Sequence, residues 1–472
     1  MKVCVKKLSF NNNENLCIIP KSIFDKLEMS TEEPYCINFG LSKETLSITL
    51  SDTEEENIYL SENIFNSLHL IEDIKLNIWK VSNNLFLGPV VGIFVNERRM
   101  NRFKNSTGYF VKQHIRAAIS ENCTGYFFSA YDIDWLGNRI KGLTYIPGLK
   151  SYACCWLPFP NISYDRATNR IRKERTAVIS IRNKFRSNPD IKLINSPNPL
   201  GKWSSYEALS KYPEAKEHLP ETIIYTCFED VLSMLDKNNL MFLKSFYGTQ
   251  GSEVLSIEKL ELKYKLNYYK RGAKELIIDS LDELRSFISK FVRNKKFIIQ
   301  QGLRLLTYNG RSLDIRMFLM KNETGNWESI FKGARIAKGN FLLTNIHAGG
   351  VYGFYEQLYP KLKRQYESVN LPSPKDLDDT SIKLVSCLEK EFGPYGELGV
   401  DIGVDIHGKI WFIEANITPG KRLSPFSVDI NGRRTKKVIV QLYKGSMKHK
   451  KILPQAIGIF KYAKFLTGTN EV

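Results

Sequence analysis

The sequence predicts an α+β chain built from several domains, and three observations carry that expectation. Its 472 residues exceed one ordinary domain and divide into about three by size. A 41-residue repeat sits near the start. Beyond it, short apolar runs of strand type alternate with amphipathic helical stretches and end on a hairpin, GVDIGVDIHGKIWFIEAN (399–416), whose two faces differ sharply in polarity. The 43% hydrophobic and 12% aromatic content is that of a folded globular protein with a large core.

Residues 1–85 hold the repeat. IIPKSIFDKLEM (18–29) and YLSENIFNSLHL (59–70) align at a constant offset of 41, matching Ile23 to Ile64, Phe24 to Phe65, Leu27 to Leu68 and Met29 to Leu70. Each copy reads as strand, short helix and strand. Two halves that cannot bury their apolar faces alone predict a small pseudo-twofold β-rich barrel. Residues 86–198 read as an α/β domain: LGPVVGIFV is a continuous apolar run, as in a parallel strand buried on both faces, followed by a helix at QHIRAAISENC and strands at GYFFSAY and ISYDRAT. The Pro-rich SPNPLGKW (196–203) is a connection. Residues 199–430 form the largest domain, with helices at CFEDVLSMLDKNN, LDELRSFISKFV and IKLVSCLEKEF among strands LMFLKSF, FIIQQG, LDIRMFLM and ESIFKGARIA. A basic, helical extension occupies 431–472.

Charge and cysteine content narrow the function. Lys and Arg exceed Asp and Glu by 18, which favours anionic partners. Half of that surplus lies in 431–472, where ten Lys or Arg face Glu471 alone; a solvated helical face accounts for it more simply than a polyanion site, so nucleic acid is not the expected partner. The eight Cys form no Cys-x-x-Cys pair and the six His are scattered, which indicates neither a zinc site nor a disulfide framework and fits reduced thiols in a cytoplasm. MKVCVKKLSF lacks a following apolar core, and LFLGPVVGIFV is too short to span a bilayer. The expected location is cytoplasmic, without a membrane span.

The hairpin carries the chemistry. With His407-Gly408 as a two-residue turn, Ile406 faces Lys409 and counting back sets Asp401 opposite Glu414. Asp401, Gly403, Asp405, Glu414 and Asn416 then share one face, and Val400, Ile402, Val404, Trp411 and Ile413 the other. Facing carboxylates have Cβ atoms about 5 Å apart and repel, by up to about 1 kcal/mol, unless a positive charge lies between them. Mg²⁺ would serve, since it takes one or two carboxylates with water and phosphate oxygens, and Asn416 adds an amide oxygen. On this reading Asp401→Asn or Glu414→Gln leaves the fold intact. Asp405, beside the turn, is a turn residue. A magnesium site implies phosphates. Lys244 ends strand LMFLKSF before a Gly-bearing loop, Gly248-Thr249-Gln250-Gly251, whose N–H groups suit a polyphosphate while the lysine adds a point charge. Lys202 follows the Pro-rich connection, and Arg316 and Arg335 fall on strands beside polar or small neighbours.

Together, Lys244 with GTQG, FIIQQGL, DIR (314–316), ARIAKGNFLLTNIHAGG (334–350) and D401…E414-A-N416-x-x-P-G resemble the ATP-grasp fold. YDR (164–166), GKW (201–203), LPET (219–222) and GELGVDIGVD…GKIWFIEAN are similar to its YheC/YheD branch of endospore coat-associated proteins, over about 90–430 and the barrel as well. The resemblance implies ATP between two α+β lobes. It places Lys202 and Lys244 on the α and β phosphates, the hinge Gln300-Gln301-Gly302-Leu303 at the adenine, Asp401, Glu414 and Asn416 on one or two Mg²⁺, and Arg316, Arg335 and Asn345 at the γ-phosphate. The implied reaction is ATP-dependent ligation of a carboxylate to an amine, small molecules or peptides, through an acyl phosphate. That needs positioning and charge neutralisation rather than a protein nucleophile. His347 reads as a hydrogen-bonding residue. Spore coat proteins become expected partners, with a spore-associated location.

Two residues depart from the family pattern. The family loop continues G-x-G before an aliphatic residue, whereas here Gly251-Ser252 is followed by Glu253, and Ser245 stands where the lysine is commonly followed by Pro. A carboxylate beside phosphates would repel them, so a non-catalytic coat or assembly protein that keeps the fold is the alternative. The basic tail and the arginines point to an acidic acceptor.

Overall fold

The structure, a computed structural model, describes residues 1–8, 15–53, 55–169, 171–195, 198, 200–246, 253–269, 272–337, 351–420 and 452–469. Its contacts divide the chain into two compact units, one of 1–195 with 321–326 and the C-terminal residues, the other of 196–320 and 327–450.

The first unit opens with seven strands, β1 (Lys2–Lys7), β2 (Leu16–Pro20), β3 (Tyr35–Phe39), β4 (Ser42–Ser51), β5 (Asn57–Leu60), β6 (Ile74–Val81) and β7 (Asn84–Gly88). They close into a barrel in the order β1-β5-β2-β4-β3-β7-β6. The repeat is visible in it: β2 and β5, and the helices Lys21–Lys26 and Glu62–Ser67, stand 41 residues apart, and Ile23, Phe24, Leu27, Ile64, Phe65 and Leu68 are all buried. Alternation fills the interior with Val3, Val5, Ile19, Ile37 and Phe39, and closure leaves no edge.

β8 (Val90–Phe94), β9 (Thr124–Phe128), β10 (Ile133–Asp134), β11 (Arg139–Ile146), β12 (Ser151–Pro158), β13 (Ile162–Asp165) and β14 (Lys192–Leu193) form the second sheet of this unit, ordered β10-β11-β9-β8-β13-β14 with β12 on β11. β8 pairs in parallel with both β9 and β13, and every residue of β8 and β9 is buried, which is why their sequences are continuous apolar runs. The helix Pro454–Leu466 packs here. Its Ile459, Phe460 and Tyr462 are buried, Lys464 pairs with Glu121 at 2.6 Å and Lys461 with Glu323 at 3.1 Å. Two cations of the basic tail are therefore structural; residues 431–451 lie outside the described residues.

The second unit contains two sheets. β15 (Thr222–Ile224), β16 (Leu240–Ser245), β17 (Val254–Lys259), β18 (Tyr264–Tyr269), β19 (Ala273–Ile278) and β20 (Phe297–Gln301) run β15-β20-β16-β17-β18-β19. The helices Phe228–Asn238 and Leu281–Val292 seal it with Val231, Leu235, Leu284 and Ile288, and Ser280 caps the second, its Oγ accepting from Glu283 N at 3.2 Å. β21 (Thr307–Tyr308), β22 (Arg311–Lys321), β23 (Trp327–Ile336), β24 (Val351–Phe354), β25 (Glu397–Val404) and β26 (Ile410–Asn416) form the other, ordered β24-β23-β22-β25-β26 with β21 on β22. The helices Tyr355–Gln365 and Pro374–Phe392 contribute Leu358, Leu362, Leu384 and Leu388 to the core with Ile315, Met317, Val400 and Ile402. The opposite face of this sheet gathers the charged residues. Among the described residues no helix is long and apolar enough to cross a membrane.

Candidate functional site

The β25–β26 hairpin sets the site, and it reaches the expected pairing by an unexpected route. Asp401 does stand opposite Glu414. The turn, however, has three residues: Asp405 N donates to Lys409 O at 3.0 Å, and Gly408 supplies the left-handed φ of +85° that closes it. Pairing then runs Val404 with Ile410, Gly403 with Trp411 and Ile402 with Phe412, until a bulge between Asp401 and Ile402 restores Asp401 to Glu414. The cost falls on the faces. Ile410 and Phe412 join the core, while Trp411, assigned to the apolar face by the two-residue turn, lies opposite Gly403 and donates Nε1–H to Asp405 Oδ2 at 2.7 Å. Asp405 Oδ1 also accepts from His407 N and Lys409 N, both at 2.9 Å, so Asp405 is a turn residue, as its position implied.

Asp401 is buried among arginines. β22 pairs with β25 so that Arg316 faces Asp401. Arg316 Nε donates to Asp401 Oδ1 and Nη2 to Oδ2 at 2.9 Å. Arg335, from β23, reaches the same Oδ2 at 2.9 Å and also holds Asp314, with Nη2 to Oδ2 at 2.7 Å. In this structure two guanidiniums supply positive charge to Asp401. Their attraction outweighs the desolvation of Asp401 and holds its carboxyl well below the usual range; Arg335, despite its burial, is pushed up by Asp314 and Asp401. Two acids and two arginines make a neutral quartet. A carboxylate has about four lone-pair sites, and among the described residues three N–H groups meet Asp401, taking one site on Oδ1 and two on Oδ2.

The lysines sit differently. Lys244, on β16, donates to Gln300 Oε1, and Gln300 is fixed by its Nε2–H to Thr222 Oγ1 at 3.0 Å. Burial lowers the Lys244 ammonium to about 8, with Glu414 opposing the shift and Lys202 adding to it. Lys202, at the start of the helix Lys202–Ser210, is lowered by burial against the pull of Glu414 and Glu253. Glu414 accepts from Asn416 Nδ2 at 3.2 Å. Glu253 is turned to Lys295 and forms an ion pair with it, so the charge expected to repel phosphates is neutralised. Burial thus lowers both ammoniums, with Glu414 pulling the other way at each and Glu253 at Lys202 as well.

The stretch after β20 crosses from one sheet to the other. Gln301 N donates to Glu221 O and Gly302 N to Leu240 O, both at 2.8 Å; Leu306 N, past Leu303, donates to Val404 O at 2.8 Å. A Cβ on Gly302 would lie 2.7 Å from the Leu240 backbone carbon, so only glycine permits this approach. Gly248, Thr249, Gln250, Gly251, Asn345 and His347 lie outside the described residues. Among the described residues no three His, Cys, Asp or Glu side chains gather as a metal site; the candidate set is two carboxylates and an amide. Sequence reasoning missed Asp314 as a site residue. The signal was its spacing, two positions before Arg316 on one strand and hence on the same face.

A family model described as YheC/D like ATP-grasp matches residues 190–449. The endospore coat-associated protein YheD of Bacillus subtilis (strain 168) is 25% identical over 377 residues, 78% of this chain and 81% of its own length. Endospore coat-associated protein YheC of the same organism is 23% identical over 295 residues, 62% of this chain and 80% of its own. Among solved structures, that of the ATP-grasp ligase PsnB complexed with minimal precursor aligns with a TM-score of 0.42 at 11% identity, over 79% of this chain and 98% of that one.

Proposed function

The chain belongs to the YheC/D-like ATP-grasp family and has the α+β ATP-grasp fold, and from that premise we propose that it binds ATP with Mg²⁺ and uses it to join a carboxylate to an amine through an acyl phosphate. One observation carries the reading: two lysines, Lys202 and Lys244, are brought to one carboxylate, Glu414, and burial lowers both ammoniums against its pull. An anion brought beside them recovers the energy that burial withholds.

The residues present fit the nucleotide and its metal. Lys202 and Lys244 would hold phosphates as point charges. Glu414, Asn416 and Asp401 would hold Mg²⁺, a donor set of oxygens suited to a hard cation that keeps water and phosphate ligands. When bound, Mg²⁺ supplies neutralisation of phosphate charge. Arg316 and Arg335 would orient the γ-phosphate and the developing acyl phosphate from positions fixed by Asp401 and Asp314, which lowers the reorganisation that transfer requires. Gln300 to Leu303 would border the adenine. The carboxylate of one substrate attacks the γ-phosphorus, ADP leaves, and the amine of the other displaces phosphate. The surplus of cations favours an acidic acceptor, a small molecule or peptide.

Glu414→Gln removes the carboxylate between the lysines and is expected to abolish Mg-dependent ATP binding by calorimetry while the protein stays folded. Unchanged Mg·ATP affinity would overturn the metal assignment. ADP release should rise when purified protein meets acidic carboxylates together with amines.

The names of the relatives favour a second reading, in which the chain is spore-associated, meets coat proteins, and binds ATP without turnover. Nucleotide binding without ADP release, across extracts of sporulating and vegetative cells, would select it.

A further inference from the structure

The strand β12, SYACCWLP, contains no charged residue, although the chain carries a net charge of +18. It pairs with β11 at all eight positions, and among the described residues no strand lies on its other side. Natural edge strands are blunted by lysines, bulges, proline or a covering segment, because a row of unpaired N–H and C=O groups recruits another strand. Among the described residues the cover lies at the end: Leu157 is buried, Pro158 O accepts from Tyr126 Oη at 2.8 Å and Phe159 O from Leu41 N at 2.9 Å. From Tyr152 to Cys155 the strand is half-buried, and Trp156 is 39% exposed.

We infer that this edge pairs with the same edge of a second copy of the chain, antiparallel about a twofold axis at Cys154. Residues directly opposite in an antiparallel pair point to one face, so a symmetric pairing must centre on a residue, not between two. Centred on Cys154, it sets Tyr152 against Trp156 of the second copy, at both ends, and Ala153 against Cys155. Centred on Cys155, it would set Tyr152 against Pro158, which has no N–H to give and lies in the covered end. An uncharged strand suits a like-charged partner, since nothing on it repels its own image, and an isologous contact closes at two copies. The two cysteines are distinguishable. Cys155 packs against the core that the barrel shares with this sheet, and burial raises its thiol to about 11, whereas Cys154 lies on the opposite face.

Sedimentation of the full chain in reducing buffer over a concentration series is expected to show a doubling of mass, with β12 amides gaining protection from hydrogen exchange as the dimer fills. A short bismaleimide should link two chains through Cys154, a product lost in Cys154→Ser and kept in Cys155→Ser. Cys154→Lys, which opposes two ammoniums on the axis, should shift dissociation to at least tenfold higher concentration. A chain that stays monomeric at every concentration overturns the inference, as does cross-linking that depends on Cys155 alone, or exchange at β12 that ignores concentration. Because Cys154→Ser keeps the strand uncharged, the cross-linking result stands even if Cys154→Lys fails to fold.

Discussion

The arginine side and the lysine side of the candidate site face the same space with opposite electrostatic economies. Asp314, Arg335, Asp401 and Arg316 satisfy one another, with hydrogen bonds that use nearly every oxygen. Lys202, Lys244 and Glu414 do not: burial holds both ammoniums below their ordinary affinity for protons. The first group is complete without a ligand and fixes geometry. The second holds two cations that burial disfavours, and on the proposed function it is the side that binds. Acidic residues paired across one hairpin thus differ in their partners, Asp401 meeting the arginines and Glu414 the lysines.

The largest expected effect follows from breaking the complete side. Asp401→Asn keeps shape but removes the carboxylate with which both buried guanidiniums, Arg316 and Arg335, are paired. Removing one member of a buried ionic network costs about 3–5 kcal/mol, and urea unfolding should show a loss of that order. This reverses the expectation from strand pairing alone, by which amide substitution relieves repulsion and spares the fold; an unchanged midpoint would restore that expectation. The sign of the pH dependence is also set. A carboxyl held below its unfolded value of about 3.9 stabilises above that pH and loses its contribution as pH falls through the lowered value. The wild-type chain should therefore lose stability on acidification below about pH 4 more steeply than Asp401→Asn.

Breaking the lysine side should act on binding instead. Lys244→Met removes an ammonium that burial disfavours, so the free protein should be as stable as wild type or more so. Mg·ATP affinity should fall by about tenfold to a hundredfold, the equivalent of one charged hydrogen bond. With its pKa near 8, Lys244 is protonated in both folded and unfolded chains below that pH and imposes its full burial penalty there. Between about 8 and its unfolded value of about 10.4 the folded chain sheds the proton first, and stability rises. ATP affinity moves the other way, falling as pH climbs through 8. Titration calorimetry on Lys244→Met should show no such step, and a step that persists would move the titrating group elsewhere.

The difference between the two sides also explains what the sequence made legible. The repeat Ile23/Ile64, Phe24/Phe65, Leu27/Leu68 announced a barrel because each pair is a local pattern of buried positions. Asp401 and Glu414 could be paired because strand alternation is local too, although two departures, a three-residue turn and a bulge, cancelled to keep them opposite. Trp411 had no such compensation and changed face. The partners of Asp401 were not legible: Arg316 is 85 residues away in sequence, and Arg335 arrives from the next strand, so their meeting depends on the sheet order β23-β22-β25. Charge neutralisation at a distance leaves no periodic trace. Lys295 escaped for the same reason, 42 residues beyond Glu253.

That last pair offers the smallest and sharpest comparison. Beside the loop lysine, Glu253 is a charge that would repel phosphate, and its presence favoured a chain that keeps the fold without turnover. Its carboxylate instead meets Lys295, whose ammonium together with Ser245 holds it below the usual range, and the lysine is well exposed. A partly exposed pair contributes about 0–1 kcal/mol, so Glu253→Gln should move the unfolding midpoint little. Its effect on Mg·ATP should be equally modest, less than about threefold, because the substitution frees Lys295 as it removes the acid and leaves the nearby charge more positive by one. Double substitution with Lys295→Gln should return the affinity to the wild-type value. An affinity that instead rises tenfold in Glu253→Gln would mean that the carboxylate opposes the nucleotide directly, and that its pairing with Lys295 does not cancel its charge at the lysines.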